Sequence, residues 1–91
     1  MPKIPDYVAE HFAKHQPNSI GVRPAVECKD GTRYSVQASD GHYCSPKTKD
    51  GPWTSFEVWA DYPSGKPAKI QGWVARDTIN RWIHRHGGIA K

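Results

Sequence analysis

Long apolar runs are missing from this sequence, and that absence sets the first limit. No stretch approaches the ~18 apolar residues that a membrane-spanning helix needs. The opening residues, Met1-Pro2-Lys3-Ile4-Pro5-Asp6, carry no apolar region of the kind a secretory signal has. A cytoplasmic protein without a membrane partner is the expectation. Cysteine is scarce as well: Cys28 and Cys44 are the two in the chain, expected as thiols rather than as a disulfide framework. Glutamate occurs three times, at positions 10, 27 and 57, and no paired-carboxylate arrangement can be found. There is no glycine-rich phosphate loop and no serine-triad motif. These absences weigh against hydrolase chemistry, and no cofactor is expected.

What is present fits one domain over residues 1–91. A chain of 91 residues buries only ~60–65% of its unfolded surface. Four Trp, four Tyr and two Phe supply apolar area to compensate. The pattern predicts an α+β fold, a small antiparallel sheet of three to four strands with an N-terminal and a C-terminal helix. Residues 1–24 form the N-terminal helix and a loop, residues 25–74 the sheet, and residues 77–86 the C-terminal helix.

The first helix is read over residues 6–16, with Asp6 as N-cap and Val8, His11, Phe12 and His15 on one face. Residues 25–38 read as a hairpin turning at Lys29-Asp30-Gly31. A two-residue Asp30-Gly31 loop would set Val26 against Ser35. A three-residue loop with Gly31 left-handed sets Val26 against Tyr34 and Glu27 against Arg33. The second register gathers Val26, Cys28, Tyr34 and Val36 on one face and is preferred. His42-Tyr43-Cys44 can begin another short extended piece, and residues 45–52 form an exposed loop. Residues 53–60 alternate, with Phe56, Val58 and Ala60 on one side and Trp53, Ser55, Glu57 and Trp59 on the other. A last strand covers residues 68–74. The final helix runs from an Asp77 cap through Ile79, Trp82, Ile83 and His86 to a Gly87-Gly88 stop, with Ile89 folding back on its last turn.

Three constellations could carry chemistry. Cys28, His42, Cys44 and His86 (or His84) have the ligand types of a tetrahedral zinc site, but without paired C-x-x-C knuckles. Cys44 beside His42 could be an activated nucleophile; the plainer account makes both thiols neighbouring core residues. The third is a contact surface. Trp53 and Trp59 on the polar side of their strand, Lys47 and Lys49 in the loop before it, and Arg81 and Arg85 on the last helix are the candidate binding residues. The formal net charge is +4. Over the last 16 residues, Arg76, Arg81, Arg85 and Lys91 against Asp77 leave +3. An acidic protein surface or a nucleic acid suits that charge.

Cys28-Lys29-Asp30-Gly31, Ser35-Val36-Gln37-Ala38-Ser39, His42-Tyr43-Cys44-Ser45-Pro46, Gly72-Trp73-Val74 and His86-Gly87-Gly88-Ile89 resemble, in the same order, a family of small phage- and prophage-encoded proteins without an assigned activity. The resemblance covers roughly residues 25–89 and carries over no catalytic residues. It implies a phage origin and a compact domain, and with that origin the expectation is a non-enzymatic protein of the host cytoplasm that binds and modulates or inhibits a host or defence complex, of the anti-CRISPR or anti-restriction type. Its partner would be a host or defence-system protein or a nucleoprotein. The alternatives are a nucleic-acid-binding accessory domain and a small Cys/His-dependent enzyme or zinc-binding domain.

Overall fold

The computed structural model describes residues 3–48, 50–65 and 69–90. Helix α1 (Tyr7–Lys14) leads to strands β1 (Val26–Glu27), β2 (Arg33–Gln37), β3 (Ser55–Asp61) and β4 (Ile70–Ala75), and helix α2 (Arg76–Arg85) follows. The four strands pair antiparallel in the order β1-β2-β3-β4. Both helices pack on one face of this sheet, so the fold is a two-layer α+β domain. The core between the layers is built on Val8, Val26, Val36, Phe56, Val58, Ile79 and Ile83.

The β1-β2 hairpin adopts the register that side-chain patterning favours. Val26 faces Tyr34 and Glu27 faces Arg33, with Gly31 at φ 92°. Asp30 braces the turn, its Oδ1 accepting from the Thr32 amide at 2.9 Å. Because partners across an antiparallel pair share a face, this one turn sends Val26, Tyr34 and Val36 into the core together.

Helix α1 begins where expected: the Asp6 carboxylate accepts from the Ala9 amide at 3.1 Å. Helix α2 does not. Asp77 is not its cap. Strand β4 runs straight into the helix, Ala75 occupies the N-cap position without a side-chain hydrogen bond, and Asp77 falls in the first turn. There its charge still suits the dipole. The last strand starts at Ile70 among the described residues; Ala68 lies outside them. Residues 42–44 form no strand, and just after them Ser45 makes an isolated bridge to Ser55.

Gly87 and Gly88, at φ 94° and 82°, end α2 and reverse the chain. Ile89 does not simply cover the last turn. It bridges Cys28, while the Ala90 amide donates to the Glu27 carbonyl at 2.7 Å and the Lys29 amide to Gly88 at 3.0 Å. The returning segment therefore covers the outer edge of β1, which would otherwise offer unpaired backbone groups.

His11 shows how tightly α1 is seated. It is buried, and its Nε2 lies 2.7 Å from the Pro24 carbonyl, the geometry of a neutral ring donating to that oxygen. Burial lowers its pKa from the ordinary 6.5, outweighing the Pro24 bond; His15 and Arg23 add repulsion. The folded state therefore binds fewer protons here than the unfolded state. Stability should fall as pH drops below about 6.5 and level off beneath the lowered folded-state value. Urea unfolding between pH 8 and pH 5 checks this, and His11→Gln, whose amide can still reach the carbonyl, should flatten the slope.

Candidate functional site

An antiparallel sheet with helices on one side leaves its other face to water, and that face is ordinarily polar. Here it is not. Trp59 on β3 faces Ser35 on β2 and Ile70 on β4, so all three share the uncovered face. Trp59 is 50% exposed and Ile70 66%. Farther along, Tyr43 and Trp73 are 52% and 57% exposed, with ring centroids 5.1 Å apart.

The sequence builds this second pair through an irregular strand. Pairing between β3 and β4 shifts between Phe56 and Val58, because Phe56 faces Val74 while Val58 faces Gln71. Two steps on β3 are thus matched by three on β4, which places a bulge at Gly72-Trp73. Trp73 takes up the bulge at φ 54°, a left-handed conformation that is unusual for a bulky side chain. Its amide donates to the Tyr43 carbonyl at 2.9 Å. Gly72 makes room: a Cβ there would lie 2.8 Å from that of Tyr43. Tyr43 is held from the other side by its own amide, which donates to the Glu57 carboxylate at 3.3 Å. The Lys47 ammonium sits 5.6 Å from the centre of the Tyr43 ring. Strained backbone of this kind concentrates at functional sites, and bulges re-aim side chains.

The expected binding residues are divided by the fold. Trp59 and Lys47 belong to the open face. Trp53 does not, because strand alternation does not reach it. The Thr54 and Ser55 amides both donate to the Ser45 carbonyl, and β3 begins at Ser55. Trp53 turns toward the helices instead. Its ring meets Phe12 edge-on at 5.8 Å, and its Nε1 donates to the Thr48 carbonyl at 3.1 Å. Arg81 and Arg85 lie on α2, in the other layer; Arg81 donates to Thr78 Oγ1 at 3.3 Å. Lys49 lies outside the described residues. Tyr43, Ile70 and Trp73 are the residues that sequence alternation overlooks. The one local signal for them is Gly72, a glycine inside a strand pattern, which marks a bulge or a close approach.

The two thiols are not neighbours. The Cys28 amide donates to the Thr32 carbonyl at the start of β2, and the Cys44 thiol donates to the Ser39 carbonyl, at 3.1 Å, beyond its end. Seven residues of roughly 3.3 Å each separate those anchors, so the sulfurs sit at opposite ends of the sheet. The zinc set is divided the same way, Cys28 with His86 at one end and His42 with Cys44 at the other. Among the described residues no cluster of three or more metal-ligating side chains exists. Cys44 is 1% exposed, and His42 turns its Nδ1 to Ser39 Oγ at 2.6 Å, so the thiol and imidazole are not paired. Burial, helped by Asp30, pushes the Cys28 thiol up to about 11, which keeps it protonated and unreactive at neutral pH.

Comparison with protein-family models, curated proteins and solved structures finds no match.

Proposed function

We propose that this chain is a non-enzymatic interaction protein of the phage type, which binds a host or defence-system protein through the open face of its sheet. The observation that carries the reading is the group Trp59, Ile70, Tyr43 and Trp73. Four large side chains, each half or more exposed, share one face, and one of them is held there by left-handed backbone. Isolated exposed apolar residues need no explanation, but two exposed apolar pairs, Trp59 with Ile70 and Tyr43 with Trp73, with charge beside them have the anatomy of a protein-binding surface. Lys47 and the cross-strand pair Arg33 and Asp61 supply that margin. The net charge of +4 favours an acidic partner surface. The resemblance to phage proteins supplies the class of partner.

A photo-crosslinking residue placed at Trp59 tests the reading in extract of the natural host. One discrete protein adduct is expected from that position and none from the same residue at Ala13, on the exposed side of α1. Equal labelling from both positions, or none from Trp59, would sink it.

The second reading, single-stranded nucleic acid, is favoured by the same exposed rings, since bases stack on aromatic side chains beside cations. It predicts oligonucleotide binding that persists at about 150 mM salt and is lost in Trp59→Ala and Tyr43→Ala. Binding that disappears by that salt concentration leaves the protein-partner reading standing.

A further inference from the structure

On the helix side of the sheet, away from the contact surface, the fold leaves a cavity of about 240 Å³ between the end of α2 and the approach to β4. Three aromatic rings form its walls. Tyr34 stacks on Trp82, with centroids 6.2 Å apart and planes 25° apart, and Tyr62 meets Tyr34 edge-on at 6.4 Å. Lys69, Arg85 and His86 also line it, with Gln71 as a neutral amide. Among the described residues no acidic side chain lines it, and neither Lys69 nor Arg85 is in an ion pair.

His86 is oriented from behind. Its Nδ1 lies 2.6 Å from the Asp30 carboxylate and 3.2 Å from Thr32 Oγ1. The Thr32 amide and the His86 ring hold the Asp30 carboxyl below its ordinary pKa, so it stands as a carboxylate at neutral pH. With Nδ1 committed to Asp30, Nε2 is the ring nitrogen left to meet a ligand. It can accept the proton of a monoanionic phosphate, or donate one when the ring is charged.

We propose that this cavity binds a nucleoside monophosphate, a phosphomonoester joined through a sugar to a planar base. The cations fit the phosphate, and the aromatic walls fit a flat base. At about 240 Å³ the cavity lies below the ~300–1,000 Å³ of sites that enclose drug-sized ligands, so it can take no more than one such unit, and that only partly enclosed. That chemistry could come from a free nucleotide or from the phosphorylated end of a strand.

Titration of the isotopically labelled full chain with AMP, adenosine and inorganic phosphate, followed by NMR, tests the proposal. AMP is expected to shift His86 and Trp82 signals saturably, and to bind at least tenfold more tightly than adenosine or inorganic phosphate. Lys69→Ala combined with Arg85→Ala should weaken AMP at least tenfold. Both positions are exposed, so the amide spectrum of that variant should keep its dispersion. No saturable shift at millimolar AMP would overturn the proposal. So would equal affinity for AMP and adenosine, equal affinity for AMP and inorganic phosphate, or an unchanged double variant. A 5′-phosphorylated trinucleotide that binds more tightly than AMP assigns the site to strand ends; the reverse order assigns it to free nucleotide.

Discussion

Asn80→Ala is expected to destabilise the domain by ~3 kcal/mol and to release α1 from its seat. Asn80 is buried on α2, 72 residues from the helix start that it serves. Its Oδ1 accepts from the Val8 amide at 3.0 Å, and its Nδ2 donates to Asp6 Oδ1 at 3.0 Å. The first amides of a helix have no partner within it. Asp6 satisfies Ala9, and Asn80 satisfies Val8. Truncation would strand a buried N–H, at ~1–3 kcal/mol, and lose a bond to a carboxylate, at ~1.5–3 kcal/mol. For a domain with ~5–10 kcal/mol in all, that is a large share. Urea unfolding measures the loss, and hydrogen exchange across residues 7–14 locates it. Arg81→Ala, one position along and exposed, should change stability by less than ~0.5 kcal/mol. A loss below ~1 kcal/mol for Asn80→Ala would mean that apolar packing alone seats the helix.

Two tryptophans six residues apart should respond in opposite ways. Trp53→Ala should cost ~3 kcal/mol of stability, toward the lower end for an aromatic truncated in a core, because the ring is half-buried. Trp53 closes the end of the core where Phe12 meets Phe56 edge-on at 5.4 Å. The Arg23 guanidinium caps the group, 4.1 Å from the Phe12 ring centre and 5.5 Å from that of Trp53. Trp59→Ala removes a cross-strand neighbour of Ser35 and Ile70 and should cost under ~1 kcal/mol. Its effect belongs to binding: affinity for the partner crosslinked at that position should fall by ~2 kcal/mol, roughly 30-fold. Thermal melts and a binding titration on both variants check the pair. A low-melting Trp59→Ala protein would place that indole in the core and remove the contact surface.

The parts of the fold that depend on short-range chemistry were legible in the sequence. Asp6 announced α1, Gly31 fixed the hairpin register, and the spacing of Ile79 and Ile83 marked the buried stripe of α2. Trp59 was legible too, since alternation with Phe56 and Val58 holds through all of β3. Trp53 was not, because the same alternation was carried two residues past the point where Ser45 bends the chain. Trp73 escaped because a bulge breaks the period of two, and a two-residue alternation cannot register an inserted residue. Tyr43 sits in a loop, and its place on the sheet depends on the gap at Gly72, 29 positions away. The supposed neighbourhood of Cys28 and Cys44 took no account of the length of β2 between them. Asp77 fitted the pattern of a cap, but a strand feeding directly into a helix needs none at that position.

The seat of α1 also constrains when the domain can form. Val8 waits for Asn80, and the Tyr7 hydroxyl waits for His84 Nδ1, 2.8 Å away and 77 residues later. A helix of eight residues is not stable alone in water. During synthesis at ~10 residues per second, residues 7–14 therefore leave the ribosome roughly 7 s ahead of their counterpart. Throughout that interval Val8 and Phe12 remain open to chaperones and proteases, and folding is completed by the last part of the domain to emerge.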